Sequence, residues 1–408
     1  MPLQERLIIK NFSIFKDIDF TINKFNIVIG EQATGKSLLS KIIFFFQQIV
    51  PQLFTFAIIE GKDFDAFEKG IKKDFFAIFP EYFWEKQEFK IRFNYRLKDT
   101  YIVISRDITS RRPSINLEVA NRIERRFDEI KRNFDLRKVD KEVFKTFNTH
   151  ITIFTPASRS FFSLIQKNIF SLSLLGVSTD LFINQFGVYY EKFKSLSAIE
   201  QQDIRELYSD ILKGEFYFDR KQDEIFIYSD DGNKVRLKDA STGQQELVPI
   251  FILLNAIIQE KNIEHFLIIE EPGSHLFPGT QKKLMELFAL IFNYTNKKTG
   301  FLFTTHSPYI LTSFNNLIQA GNVLKVAREK NYPDIDKEIG YIILPSKAID
   351  FDDVSVYMIK NGSLELLMDT EYRLIMPELL DKVSDEIAEE FNKLVELENR
   401  IENETVAG

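Results

Sequence analysis

Between the apolar run FNIVI and the stretch LLSKIIFFF stands GEQATGKS, Gly30 to Ser37, about thirty residues into the chain. This octapeptide limits the fold more than any other segment, because it asks for a strand before it and a helix after it. Gly30 and Gly35 let the backbone turn so that successive N–H groups converge, which a Cβ would obstruct. Glu31, Gln32, Ala33 and Thr34 complete the loop. Lys36 then carries an ammonium to the β and γ phosphates of a nucleotide, and the Ser37 hydroxyl can reach Mg²⁺ while the new helix points its N-terminus at the anion. The alternative is a tight strand-to-helix turn with no ligand. Four specified positions match by accident in about one chain of this length in a hundred.

The rest of the chain supports an α/β reading. LIIKNFSIFKDIDFTINKFNIVIG alternates apolar and polar residues and reads as short strands, and residues 38 to about 80 read as Phe-rich helix. EFKIRFNYRLKDTYIVISRDI reads as a hairpin turning at LKDT, RIERRFDEIKRNFDLRKVDKEVFKTF as charged helix and ITIFT as a buried strand. Helical pattern returns from Arg159 to about Lys213. A strand and a hairpin with DDGN at its tip follow, then the long apolar helix of STGQQELVPIFILLNAIIQEKN. HFLIIEEP and FLFTTHSP are buried strands flanking the helix QKKLMELFALIFNYTNK. After Pro308 the pattern predicts short strands, and from about Pro377 a terminal helix. The 41 phenylalanines among 408 residues are expected in core packing.

Composition narrows the function classes. With 44% hydrophobic and 28% charged residues the chain is an ordinary globular protein. The lack of cysteine excludes disulfides and thiolate metal sites and agrees with a cytoplasmic location. No uninterrupted apolar stretch approaches a bilayer span, so no membrane partner is expected. A net charge of −7 does not advertise a polyanion partner, although a local basic face could still bind nucleic acid.

The strands ending at Gly30, Ile269 and Thr304 each finish in polar residues, the layout of an α/β sheet whose ligand lies beyond the strand ends. LIIEEP delivers Glu270 and Glu271 side by side, able to divide the tasks of holding Mg²⁺ and activating water. STGQQE opens a second helix, where Ser241 stands as N-cap, Gly243 permits close backbone approach and Gln244 starts the helix. His306 follows FLFTT, where it is either a capped core residue or a γ-phosphate contact.

With Lys36, STGQ, Glu271 and His306 in this order, residues 1 to 320 resemble the ATPase head of ABC-type proteins, in the branch of SMC, RecF and OLD-family ATPases. The resemblance implies an α/β fold with a mainly parallel sheet, an antiparallel β subdomain and a helical insertion. It assigns Ser241, Gly243 and Gln244 to a signature motif that contacts nucleotide, Glu270 to Mg²⁺, Glu271 to the catalytic base and His306 to the switch histidine, with Lys36 also catalytic. It implies ATP and Mg²⁺ as ligands and a homo-oligomer built from ATP-sandwich dimers. TPASRS, residues 155 to 160, resembles an OLD-type segment near the Q-loop position, with Arg159 its notable residue. Three departures stand out: Thr242 replaces the second glycine of the common signature, Glu270 replaces the usual Asp, and TPASRS has no Gln.

EEPGSHLFP looks most like OLD-type ATPases, including the ATPase subunits of antiphage systems such as Septu and PARIS. That implies a sensor or scaffold subunit controlling a separate effector such as an HNH or Toprim nuclease. The competing class is a RecF-like repair ATPase that clamps DNA on dimerisation. A transporter ATPase fits poorly, because about 115 residues separate Ser37 from TPASRS. The expected organisation is an N-terminal ATPase lobe over 1–158, a helical subdomain over 159–213, a C-terminal ATPase lobe over 214–320 and an extension over 321–408. His275 is open between a subunit contact and packing. Arg122, Arg125, Arg126, Lys131, Arg132, Arg137 and Lys138 offer a basic face, but Glu124, Asp128, Glu129 and Asp135 interleave them, as on a solvated helix. Leu380, Val383, Ile387, Phe391, Leu394 and Ile401 give the C-terminal stretch an amphipathic stripe.

Overall fold

The structure, a computed structural model, describes residues 4–108, 114–147, 150–161, 181–196, 200–229, 231–332, 334–376 and 393–394. In chain order its strands are β1 (Arg6–Phe12), β2 (Phe15–Thr21), β3 (Phe25–Ile29), β4 (Phe89–Asn94), β5 (Tyr101–Arg106), β6 (Asn116–Val119), β7 (Ile151–Thr155) and β8 (Gly214–Asp219). They continue with β9 (Glu224–Ser229), β10 (Lys234–Arg236), β11 (His265–Glu270), β12 (Thr299–Thr305), β13 (Val354–Lys360), β14 (Ser363–Leu366), β15 (Met368–Asp369) and β16 (Leu374–Ile375). The helices are α1 (Lys36–Phe44), α2 (Val50–Ile59), α3 (Phe64–Ile78), α4 (Asn121–Arg132), α5 (Val139–Phe147) and α6 (Leu181–Phe193). After them come α7 (Gln202–Leu212), α8 (Thr242–Gln259), α9 (Pro278–Tyr294), α10 (Pro308–Glu329) and α11 (Ile335–Gly340).

Among the described residues the main sheet runs β6-β5-β4-β1-β2-β14-β13-β3-β12-β11-β7. Its β13-β3-β12-β11-β7 half is parallel, while β6-β5-β4-β1-β2 is antiparallel and continues the same sheet. A separate antiparallel sheet, β10-β9-β8, carries the hairpin at 231–233. The expected α/β class is therefore the one adopted.

Strands buried on both sides read as continuous apolar runs, and their alternate residues serve opposite cores. Phe25 and Ile27 of β3, Leu267 and Ile269 of β11, and Phe301 and Phe303 of β12 belong to the core shared with α6–α10. Val28, Phe266, Ile268 and Leu302 face the core shared with α1–α5. Phenylalanine fills both. Phe54 sits edge-on to Phe67, Phe127 and Phe147 at 5.1–5.3 Å, and Phe25 contacts Phe292, Phe301 and Phe314 at 4.8–5.2 Å. Each such side chain contributes about 1.5–3 kcal/mol by burial.

Between α1 and α2 the helix widens to a π turn over Phe45–Ile49. There Gln47 donates to the Glu5 carboxylate at 2.6 Å, and the Thr152 hydroxyl on β7 donates to Gln47 at 3.4 Å. The Gln48 side-chain oxygen accepts the Thr152 backbone N–H at 3.1 Å. By length and composition Lys36–Ile59 could cross a bilayer, but 67% of its most apolar window is buried inside the protein. Core packing against β7 and the antiparallel strands accounts for that hydropathy.

The region after Pro308 differs from expectation. It begins with the 22-residue α10, not with strands. Ile310, Leu311, Phe314, Leu317, Ile318, Leu324 and Ala327 are buried at helical spacing, and Pro308 fits the first turn, where its missing N–H costs nothing. Among the described residues only β13 to β16 follow the strand reading. The amphipathic stripe from Leu380 to Ile401 lies outside the described residues except for Leu394, which is exposed.

At the other end of the parallel strands, burial and the neighbouring Arg96 guanidinium hold His150 well below the usual histidine range. Arg96 donates to His150 Nδ1 at 3.0 Å and pairs with Glu264 at 2.9 Å, while Nε2 is buried without a partner. The folded ring is neutral. Below about pH 6.5 the unfolded chain binds a proton that the folded chain refuses, so stability present above that pH is lost as pH falls. His265, lowered mainly by burial, acts in the same sense, and Glu5, raised by burial, in the opposite one. Urea unfolding of His150→Gln, which keeps an acceptor for Arg96, should therefore show a shallower loss between pH 7 and 5. The difference should approach ~1.4 kcal/mol per pH unit. Superimposable pH profiles would show that His150 is not the titrating group.

Candidate functional site

Register sets the site. Ile29 pairs with Thr305, and Thr304 with Glu270, so β3 and β12 end level and β11 one residue short of them. The residues just beyond them are Gly30, His306 and Glu271, which brings together three motifs far apart in the chain. A cleft of about 580 Å³ lies there, lined by Gln32, Ala33, Thr34, Gly35, Lys36, Ser37, Glu271 and His306, with Ile14 and Leu38 as apolar walls.

The loop is held from within. Thr34 donates its hydroxyl to the Glu31 carbonyl at 2.9 Å. Gly35 takes φ +101°, and a Cβ there would lie 2.7 Å from Ile14 and Phe15, so only glycine fits. Lys36 opens α1 and folds its ammonium back onto the carbonyl oxygens of Gly30 at 2.7 Å and Glu31 at 2.9 Å. Burial lowers its pKa, partly offset by the nearby Glu271 charge. An ammonium resting on two neutral carbonyls gains by exchanging them for phosphate oxygens, because a full negative charge attracts it more strongly than a carbonyl dipole does. The first-turn N–H groups of α1 have no intrahelical acceptor and add to the anion cradle.

The two acids occupy different surroundings. Glu270 is buried at the end of β11, where one carboxylate oxygen accepts the Ser40 hydroxyl at 3.3 Å and the other accepts the Ala157 N–H at 3.4 Å. The one Ser40 proton is shared with the Ser37 carbonyl at 3.0 Å, so this hydroxyl stands between the loop helix and Glu270. Glu271 lies 2.9 Å from His306 Nδ1, and the His306 side chain is 70% exposed, so it is not a core residue. Glu271 has φ +44°, a left-handed backbone that costs a residue with a Cβ ~1–2 kcal/mol. Among the described residues no three His, Asp or Glu side chains cluster as a ready metal site. Mg²⁺ is ordinarily held by one or two side chains together with substrate phosphates, and Ser37 and Glu270 have the oxygens for that.

Arg159 is fully buried beneath the acids. It donates to the carbonyl oxygens of Glu246 at 3.0 Å, Glu270 at 2.8 Å, Glu271 at 3.0 Å and Pro156 at 3.3 Å, with Glu246 Oε2 3.1 Å from its Nε. TPASRS points to Arg159 but not to its contacts, and Ser40 belongs to no motif although it stands one helical turn after Ser37.

Ser241, Gly243 and Gln244 do not line the cleft of their own chain. Ser241 caps α8 through a capping box with Gln244, and the Gln244 amide also donates to the Leu212 carbonyl at 2.9 Å. A Cβ at Gly243 would meet Leu276 at 3.1 Å and the His275 carbonyl at 3.4 Å, so the glycine lets α8 rest on the loop after Glu271. His275 is exposed. The basic stretch is largely engaged: Arg126 pairs with Glu129 and Glu142, Arg137 and Lys138 with Asp135, and Arg125 and Arg132 donate to carbonyls of their own helix.

Residues 183–311 match the family described as AAA ATPase domain, a span that holds Ser241, Glu270, Glu271 and His306 but not the loop at Gly30–Ser37. No curated protein matches the chain. Among solved structures it is similar to an SMC head bound to the C-winged helix domain of ScpA, at 14% identity and TM-score 0.42 over 91% of this chain and 99% of that one. It is also similar to an Smc head domain with an extended coiled coil, bound to the C-terminal domain of ScpA from Pyrococcus furiosus (14%, 0.42, 96% and 100%). A third is the SMC head domain from Thermotoga maritima (13%, 0.39, 90% and 98%).

Removing the ammonium tests the cradle directly. Calorimetry should show that Lys36→Ala weakens Mg-ATP binding by about 100-fold or more, roughly the loss of one strong charged hydrogen bond. Its thermal unfolding should stay cooperative. Unchanged affinity would return the loop to a structural turn.

Proposed function

We propose that this chain is an ABC-type ATPase that binds and hydrolyses ATP, releasing ADP and phosphate. The observation that carries the reading is the near-level ending of β3, β12 and β11, which gathers the phosphate loop, Glu271 and His306 at one cleft, with Glu270 buried next to Glu271 and bonded to Ser40 of the loop helix. Loop residues Gly30 to Gly35 wrap the phosphates, and Lys36 moves from its own carbonyls onto them. Ser37 and Glu270 would hold Mg²⁺, which supplies charge neutralisation on the phosphate oxygens. Glu271 accepts a proton from the attacking water, and His306 orients its carboxylate and faces the γ phosphate.

Ser241, Gly243 and Gln244 contact nucleotide across a two-fold dimer, each copy covering the cleft of the other. That placement is supported by the exposed capped end of α8, which stands clear of its own chain's cleft. By the resemblance of EEPGSHLFP to OLD-type ATPases, we further infer a cytoplasmic sensor or scaffold subunit in antiphage defence, controlling a separate nuclease of the HNH or Toprim kind. The RecF-like alternative needs a cationic face for DNA, and on α4 and the segment after it Arg126 pairs with Glu129 and Glu142 while Arg137 and Lys138 share Asp135 and stay exposed. Co-purification with products of flanking genes, with and without ATP, separates the two: a nuclease partner supports the first and replication proteins the second.

Two experiments test the chemistry. Glu271→Gln keeps the side-chain shape but loses the base, so it should bind ATP and leave it uncleaved, whereas Glu270→Gln should bind Mg²⁺ more weakly. If Glu270→Gln is the better ATP trap, the two roles are reversed. Mixing Lys36→Ala with Ser241→Arg chains should rebuild one intact shared site, restoring some activity that each variant lacks alone. Full activity of Ser241→Arg by itself would exclude the shared site.

A further inference from the structure

We propose that Arg159 is a positioning residue that fixes Glu271 in its working place relative to α8. The inference rests on the ATPase reading above and assigns a function to a side chain that touches neither the cleft nor its lining residues' side chains. Its guanidinium, fully buried, binds four backbone carbonyl oxygens: Pro156 after β7, Glu270 and Glu271 at the end of β11, and Glu246 in α8. Carbonyl contacts of this kind read where the backbone runs. They say nothing to the acids' side chains, which remain free to face Ser40, Ala157 and His306.

Two of the four carbonyls belong to the residues whose placement matters most. Glu271 is held in a left-handed conformation, and the Arg159 bond to its carbonyl at 3.0 Å is one constraint on that turn. Its N–H supplies another by donating to the Thr304 carbonyl at 2.8 Å. The same guanidinium reaches α8 five residues after Ser241, so the capped helix end and the acid turn share one planar group as common support. Its counter-charge is Glu246, itself buried in α8, which ties the pair to that helix and not to solvent. A planar fork of five donors can serve carbonyls on three elements at once, whereas a lysine ammonium is a compact charge with three donors and a shorter reach. Losing the fork should therefore disturb where Glu271 sits while leaving the loop at Gly30–Ser37 unchanged.

The test compares wild type, Arg159→Lys and Glu246→Gln for ATP affinity, binding stoichiometry, kcat and KM. Arg159→Lys should bind Mg-ATP within about threefold of wild type at full stoichiometry and turn over about 100-fold more slowly, and Glu246→Gln about 10-fold more slowly. Turnover of Arg159→Lys within twofold of wild type overturns the proposal. So does a parallel loss of affinity, stoichiometry and turnover, which is the mark of general damage. Should Arg159→Lys fail to fold, Glu246→Gln decides alone, and wild-type kcat in it overturns the proposal. A wild-type protein that does not cleave ATP sinks the ATPase reading first, and the role of Arg159 with it.

Discussion

The parallel pairing of β3, β12 and β11 is the constraint on which the rest depends. Parallel ladders have evenly spaced hydrogen bonds, so their register fixes where each strand stops. Here they stop within one residue of each other, and the residues that follow are a glycine of the loop, a histidine and a glutamate. A shift of one residue would turn every core side chain of a strand to the wrong face. The alternate placement of Leu267 and Ile269 against Phe266 and Ile268 in two cores is thus what holds the polar ends in line. The packing of the interior and the geometry of the cleft are one specification.

Around that alignment the polar groups are tied by short links. Ser40 joins the loop helix to Glu270, Ala157 joins the end of β7 to the same carboxylate, and Arg159 joins β7, β11 and α8. Each link runs between elements distant in sequence, so the cleft forms only when both halves of the chain have folded. The strained backbone at Glu271 is affordable in that setting because buried bonds on either side over-determine it.

Much of this was legible in the residues. GEQATGKS, LIIEEP and FLFTTHSP announce their elements because glycine, continuous apolar runs and terminal acids each have one physical use there. The α/β class and the order of most elements followed. Other features were not legible. The α10 helix carries threonine, serine and asparagine among its apolar positions, which blurs its period, and its Pro308 reads equally as a loop or a first turn. Ser40 and the role of Arg159 escape because their meaning lies in contacts across 230 residues to Glu270 and 111 residues to the same strand end. Local pattern carries no record of such distances.

The π turn at Phe45–Ile49 has a consequence for how the molecule keeps to itself. Among the described residues β7 ends the parallel half of the sheet, and a strand in that position turns alternate N–H groups outward, as a template on which a foreign strand can pair. The widened turn sets Gln47 and Gln48 against it, and Gln48 takes the outward N–H of Thr152. A side-chain amide thus occupies the place of a twelfth strand. An irregularity in one helix in this way helps to guard the sheet against polymerising edge to edge.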